Sequence, residues 1–201
     1  MIILDMGSGN TCQNDKAEIR KMIDAIYEVD QGNYAIVLKW QLFKEALPNI
    51  PLTHECFEFA YQYGNDLGYQ TTASVFDIES LEYLKRFDVL FIKIACRPDL
   101  YSLIKRCDKH SVIVSSEDTE RVSGADWQLA CIRKYPASIH EYEQAFDADQ
   151  LRYVSDHTVG WKLYHKYNPV VIEKHFVHER RAGNPDAGLF AVTPEELAEV
   201  L

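Results

Sequence analysis

Ala35-Ile36-Val37-Leu38-Lys39-Trp40 is an apolar run broken by a single lysine, and its reading decides the fold. A short stretch rich in Ile, Val and Leu is the signature of a strand covered on both faces, as in parallel sheets. A lysine in such a strand is costly to bury unpaired, so Lys39 must end the strand at a polar site or meet a carboxylate. Working outward, seven further segments share this form: Ile2 to Asp5, Gln70 to Ser74, Val89 to Ile94, Ser111 to Ser115, Trp127 to Ile132, Leu151 to Val154 and Val170 to Glu173. Between the early ones the spacing turns helical, with Ile19, Met22, Ile23 and Ile26 on one stripe and Cys56, Phe59, Ala60, Tyr63 and Leu67 on another. Asp77 is placed to cap a third helix carrying Ile78, Leu81 and Leu84. Thr193-Pro194-Glu195-Glu196 reads as a capping box opening a last helix that runs to Leu201.

Eight strands separated by helical segments predict an α/β chain: one minimal (β/α)8 TIM barrel spanning residues 1–201. Some crossovers should be short or irregular, because the stretches around Glu117 to Gly124 and Ser138 to Phe146 are weak helices. The alternative of an open doubly wound sheet calls for fewer strands and a glycine-rich first turn, whereas Gly7-Ser8-Gly9-Asn10 lacks the GxGxxG spacing.

The 201 residues and 47% hydrophobic content suit one soluble domain. No apolar run nears the roughly 18 residues of a membrane span. Met1-Ile2-Ile3-Leu4-Asp5 reads as a strand and not as a signal peptide, so a cytoplasmic protein is expected. Cys12, Cys56, Cys96, Cys107 and Cys131 are odd in number and form no CxxC pair, against both a disulfide framework and a thiolate zinc site. A formal charge of -10 argues against nucleic acid and membrane as partners, yet it leaves room for a small anionic substrate wherever cations cluster.

Barrels of this class do their chemistry at the C-terminal strand ends. Here those positions hold Asp5, Lys39, Gln41, Ser74, Lys93, Cys96, Ser115, Ser116, Arg133, Tyr135, Ser155, His157, Lys174 and His175. One lysine alone is as readily a snorkelling or carboxylate-paired residue. Two at equivalent strand ends, with Arg133 and the hydroxyls of Ser74, Ser115, Ser116 and Ser155, make a donor-rich cup for phosphate and carboxylate. A single histidine is more often structural than a ligand. His157 and His175, however, close consecutive strands, and two converging imidazoles with oxygen ligands suit Mn²⁺ or a similar ion. His54, His110, His140, His165 and His178 lack that placement. Cys96 has no base beside it in sequence and reads as a pocket-lining thiol; Trp40, Trp127 and Trp161 read as core or rim packing.

The ordered strand ends resemble the catalytic barrel of the sialic acid synthase (N-acetylneuraminate synthase, NeuB-like) family. The motifs that carry the resemblance are Lys39-Trp40-Gln41, Ser74-Val75-Phe76-Asp77, Lys93-Ile94-Ala95-Cys96, Ser115-Ser116, Tyr135-Pro136, Ser155-Asp156-His157-Thr158, Glu173-Lys174-His175-Phe176 and Asn184-Pro185-Asp186. The resemblance implies a transferase that condenses phosphoenolpyruvate with an aldose, N-acetylmannosamine-like or related, in sialic acid biosynthesis. It implies that His157 and His175 ligate a divalent metal, Mn²⁺ with Mg²⁺ or Co²⁺ as alternatives, which polarises the sugar aldehyde for attack by carbon three of phosphoenolpyruvate. Lys39, Lys93, Ser74, Cys96, Ser115, Ser116, Arg133 and Ser155 would line the phosphoenolpyruvate side. Gln41, Tyr135 and Asp186 would face the sugar, and Asp5 stands where the family has a glutamate near the metal.

Departures from the family pattern also set expectations. The chain stops at Leu201, so an antifreeze-like C-terminal domain is expected to be lacking, and with it the arginine that such a domain donates. A homodimer or a separate partner supplying that domain is compatible with this. Arg97-Pro98 replaces a sugar-contacting glutamate, Arg133 replaces an asparagine, and the loop after the second strand is shortened. The alternatives that stay open are a non-catalytic or partner-dependent barrel binding a phosphorylated ligand, and another metal-dependent carbon-carbon lyase or aldolase.

Overall fold

The computed structural model describes residues 1–32, 35–44 and 48–201. Eight parallel strands close into a barrel in chain order: β1 (Ile2–Gly7), β2 (Ile36–Leu42), β3 (Gln70–Val75), β4 (Ile92–Ile94), β5 (Val112–Ser116), β6 (Trp127–Cys131), β7 (Tyr153–Asp156) and β8 (Val171–His175). The predicted fold class is the one observed. Two strands start two or more residues later than expected. β4 begins at Ile92 instead of Val89, and β7 begins at Tyr153 because Gln150–Arg152 coils into one 3-10 turn.

The helices are α1 (Gly9–Cys12), α2 (Lys16–Asp30), α3 (His54–Asp66), α4 (Ile78–Leu84), α5 (Ile139–Ala145), α6 (Lys162–Tyr167) and α7 (Pro194–Leu197). α2 buries Ile19, Met22, Ile23 and Ile26 as the periodicity predicts, behind an Asp15 cap. Asp77 accepts from the Ser80 N–H and starts α4. On α3 the buried face is Cys56, Phe57, Ala60 and Gly64, turned slightly from the expected stripe. Gly64 permits that approach, since a Cβ there would lie 2.5 Å from Thr71 Oγ1. Thr193 and Glu196 form the expected capping box, yet α7 ends at Leu197 and does not continue to Leu201. The two weak crossovers part company. Ser138 and Glu141 form a capping box that starts α5. Residues 117–124 make no helix and fold around Gln128, whose Nε2 donates to the carbonyls of Asp118 and Glu120. A 3-10 helix, Pro98–Arg106, joins β4 to β5. The shortened loop expected after β2 includes residues 45–47, which lie outside those described.

Side chains alternate in and out along each strand. Ile3, Val37, Phe91, Ile113, Leu129 and Val171 pack together as an apolar floor inside the barrel. Two residues further along the same strands stand Asp5, Lys39, Lys93, Ser115, Cys131 and Glu173, so the layer above that floor is polar. The register brings Asp5 level with both Lys39 and His175, Ser74 level with Lys93, and Ser155 level with Glu173. Leu4, Leu38, Ile92 and Val114 point the other way and join the larger core beneath the helices.

Candidate functional site

Above the apolar floor the barrel opens into a cavity of about 410 Å³ at its C-terminal mouth. Lys39 and Lys93 enter it on strands whose neighbouring residues are apolar, and both are fully buried. Lys39 Nζ donates to Asp5 Oδ2 at 2.7 Å and to Ser74 Oγ at 2.8 Å. Lys93 Nζ donates to Ser115 Oγ at 2.7 Å and to the Ile94 carbonyl at 3.1 Å. Glu173 lies between the two ammonium groups, 3.6 Å from each. It also accepts from the Ser155 hydroxyl at 3.0 Å. Gln41 Nε2 donates to both oxygens of Asp5 at 3.1 Å. Pairing with carboxylates and facing a cavity are thus both true of these lysines.

The electrostatics follow from burial competing with these partners. Burial opposes charge on Asp5, but the Lys39 ammonium and His175 outweigh it and hold the carboxyl well below the usual carboxylate range. Burial likewise opposes charge on Lys39, and Asp5 and Glu173 reverse it, raising its pKa. Lys93 has no partner as close as Asp5, so burial prevails over Glu173 and lowers its pKa. An anion entering the cavity therefore meets one firmly charged ammonium and one whose charge it would itself reinforce.

His157 and His175 converge at the same mouth, with ring centroids 5.7 Å apart. His157 Nδ1 lies 2.7 Å from the Ile132 carbonyl, which can only accept, so the proton sits on Nδ1 and Nε2 keeps its lone pair. Burial, reinforced by His175, pushes the His157 pKa down to about 3 and keeps the ring neutral. His175 differs: burial lowers its pKa, yet Asp5 and Asp186 overcome that and raise it. Its Nε2 is 3.8 Å from Asp5 Oδ2, its Nδ1 is 3.5 Å from Asp186 Oδ1, and Nδ1 makes no hydrogen bond. The neutral His157 ring, with Nε2 free, has the chemistry of a divalent-metal ligand; His175 has it once it gives up the proton that Asp5 and Asp186 favour. Of the two carboxylates beside His175, Asp5 is already held by Lys39 and Gln41, and Asp186 accepts from the Thr11 hydroxyl. Among the described residues no group of three or more His, Cys, Asp or Glu side chains is arranged around an ion. A divalent cation held there would have the two imidazoles as protein ligands and its other positions open.

Of the residues expected at the site, Asp5, Lys39, Gln41, Ser74, Lys93, Cys96, Ser115, Arg133, Tyr135, Ser155, His157 and His175 line this one cavity. Arg133 sits at its rim, half-exposed and paired with Glu117 at 2.6 Å. Tyr135 is also at the rim, with its ring 4.1 Å from that of His157. Ser116 is a correction. Strand alternation turns it away from the cavity, and its hydroxyl accepts from the Asp118 N–H. Asp186 is outside the cavity in an adjoining one, where it accepts from the Thr11 hydroxyl and approaches His175. Lys174 also points outward. It is buried behind the barrel, 3.1 Å from Asp156 and donating to the Thr158 carbonyl at 2.6 Å. Sequence reasoning missed Glu173, which stepping back two residues from His175 along the strand would have found. Cys131, Phe76, Ala95 and Arg97 also line the cavity. A larger groove, about 480 Å³, lies between the irregular 117–124 segment and the start of β7, but it contains neither lysine nor histidine.

A closed parallel barrel with basic, hydroxyl and imidazole groups gathered at its C-terminal mouth defines the class of this protein. The NeuB family model matches residues 18–201, and the chain belongs to that family. Solved structures agree on the fold. N-acetylneuraminic acid (sialic acid) synthetase from Leptospira borgpetersenii superposes with a TM-score of 0.79 at 21% identity, over 99% of this chain and 80% of that one. A spore coat polysaccharide biosynthesis protein from Bacillus subtilis gives 0.75 at 21% identity, over 100% and 65%. A truncated 3-deoxy-D-arabino-heptulosonate 7-phosphate synthase from Thermotoga maritima gives 0.68 at 12% identity, over 100% and 83%. No curated protein sequence matches the chain. Among the described residues no helix is long and apolar enough to cross a membrane.

Proposed function

We propose that this barrel condenses phosphoenolpyruvate with an aldose, giving a nonulosonic, sialic-type acid and inorganic phosphate. The observation that carries the reading is the meeting of two buried ammonium groups and two imidazoles in one cavity at the barrel mouth. Membership of the NeuB family supports it.

Lys39 and Lys93, with the hydroxyls of Ser74 and Ser115, bind the phosphate and carboxylate of phosphoenolpyruvate. Each ammonium makes two hydrogen bonds to described residues and keeps a third donor for the ligand. Glu173 holds the two ammonium groups apart and in place. Gln41, Tyr135 and Asp186 face the sugar. Asp5, held ionised by Lys39, accepts a hydrogen bond from water beside His175. His157 and His175 would hold a divalent cation, Mn²⁺ or a similar ion, which when bound supplies Lewis-acid polarisation of the aldehyde oxygen.

The test is incubation of the protein with Mn²⁺, phosphoenolpyruvate and a panel of aldoses, N-acetylmannosamine included, with phosphate release as the readout. Release that depends on both sugar and metal is expected. Tight binding of phosphoenolpyruvate by calorimetry with no release for any sugar overturns the catalytic reading and leaves a ligand-binding barrel.

A further inference from the structure

The two histidines at the mouth are held in place differently. His175 is the last residue of β8 and pairs in the ladder with Asp5 of β1. His157 stands one residue past the end of β7, beyond the last ladder pair of β7 and β8, Asp156 with Lys174. Its place therefore depends on the turn that carries it. Asp156 Oδ1 accepts from the Thr158 N–H at 2.7 Å, and Lys174 Nζ donates to the Thr158 carbonyl at 2.6 Å. The same ammonium is 3.1 Å from Asp156 Oδ2 and 6.0 Å from the centre of the Trp161 ring. Both charged residues are fully buried. Two residues earlier on the same outward face, the facing pair is Val154 and Ile172, part of the apolar core. Well-packed apolar residues at 156 and 174 would hold the strands about as firmly, because two buried charges give up their hydration. Stability alone gives no reason for an ion pair at this one step of the ladder.

We propose that the Asp156–Lys174 pair, behind the barrel wall, positions His157 against His175 so that the two imidazoles can share one divalent cation. Each charged residue immediately precedes one of the histidines, so joining them fixes the backbone from which both rings spring. The bonds to the Thr158 N–H and carbonyl fix the other side of His157. Between those two anchors the His157 N–H donates to the Tyr142 hydroxyl and its carbonyl accepts from the Ala137 N–H. Asp156 and Lys174 are positioning residues: neither lines the cavity, and both act on a ligand through the histidine beside them. In its consequence for metal binding this rests on the function proposed above, whereas the clamp on the turn does not.

The experiment compares the parent with the double variant Asp156→Asn/Lys174→Met, which leaves no buried charge unpaired, and with Ile23→Ala, a core truncation on α2 that lowers stability by another route. The readouts are Mn²⁺ titration by calorimetry, pulsed EPR of the bound Mn²⁺, and amide hydrogen exchange without metal. The double variant is expected to bind Mn²⁺ about ten- to a hundredfold more weakly, with one imidazole nitrogen coupled to the metal where the parent shows two. Without metal, its His157 and Thr158 amides should exchange faster while those of Val154 and Ile172 keep the parent's rates. Ile23→Ala should bind Mn²⁺ as the parent does. Parent-like Mn²⁺ affinity or unchanged exchange at His157 and Thr158 in the double variant overturns the proposal, as does an equal loss of affinity in Ile23→Ala. A double variant that fails to fold overturns it too, by making the pair a requirement of folding. A parent that binds no Mn²⁺, with exchange still raised at His157 and Thr158 in the double variant, refutes the metal reading of the site and leaves the clamp.

Discussion

Lys93→Met and Lys174→Met make a matched pair, because both lysines are buried in strands and alternation sends them to opposite sides of the barrel wall. Lys93 enters the cavity. At about 4 Å from a bound anion and an effective dielectric of about 20, its charge is worth about 4 kcal/mol, roughly a thousandfold in affinity. Lys93→Met is therefore expected to weaken phosphoenolpyruvate binding by two to three orders of magnitude, with residual binding through Lys39, on the order of what that Coulomb term allows. Its cost to stability should be small: Glu173 keeps Lys39 and the Ser155 hydroxyl, and the desolvation of one ammonium disappears. Lys174 instead pairs with Asp156, both completely buried. Removing one partner of such a pair costs about 3–5 kcal/mol. For a chain of this size that is a fall in Tm on the order of 10 °C. Calorimetric titration with phosphoenolpyruvate and thermal melts of the three proteins separate the two roles. Binding by Lys93→Met as tight as the parent's, or loss of binding in a folded Lys174→Met, would refute the division of strand faces on which the site is built.

Three other expectations follow from the geometry. His157→Ala should lose Mn²⁺ affinity and activity while its Tm stays near that of the parent, since the ring makes one side-chain hydrogen bond, to the Ile132 carbonyl; metal-binding calorimetry beside a melt checks this, and unchanged metal affinity removes the histidine from the ligand set. Ser115→Ala should weaken phosphoenolpyruvate by about 1 kcal/mol for a lost hydroxyl contact, whereas Ser116→Ala should leave binding as it was, because that hydroxyl serves the Asp118 N–H; equal effects in titration would put the Ser116 hydroxyl at the ligand. Tyr142→Phe removes a buried hydroxyl that donates to the Ser155 carbonyl at 2.6 Å and accepts from the His157 N–H at 3.1 Å. It should cost about 1–3 kcal/mol in urea unfolding, and a stability equal to the parent's would mean that the hydroxyl does not brace this strand end.

The barrel was legible in the sequence because its cause is local. Runs such as Ile36-Val37-Leu38 and stripes such as Ile19, Met22, Ile23 and Ile26 reflect burial by period two and period 3.6, and each survives in any folded arrangement of the same elements. Capping at Asp77, Ser138 and Thr193 is equally local, although of these only Asp77 and Thr193 stand before a clear helical pattern in the sequence. Most of the polar mouth was legible too, since Lys39, Lys93, His157 and His175 stand where apolar runs stop. What the chain alone left undecided is which side of the wall each side chain takes and what it meets there. Ser115 and Ser116, or Glu173 and Lys174, are neighbours in sequence but belong to different compartments, because register fixes the facing of a whole strand at once. Ring closure, a property of all eight strands together, is what sets Asp5 beside Lys39 and His175 and gives Glu173 two lysines to bridge.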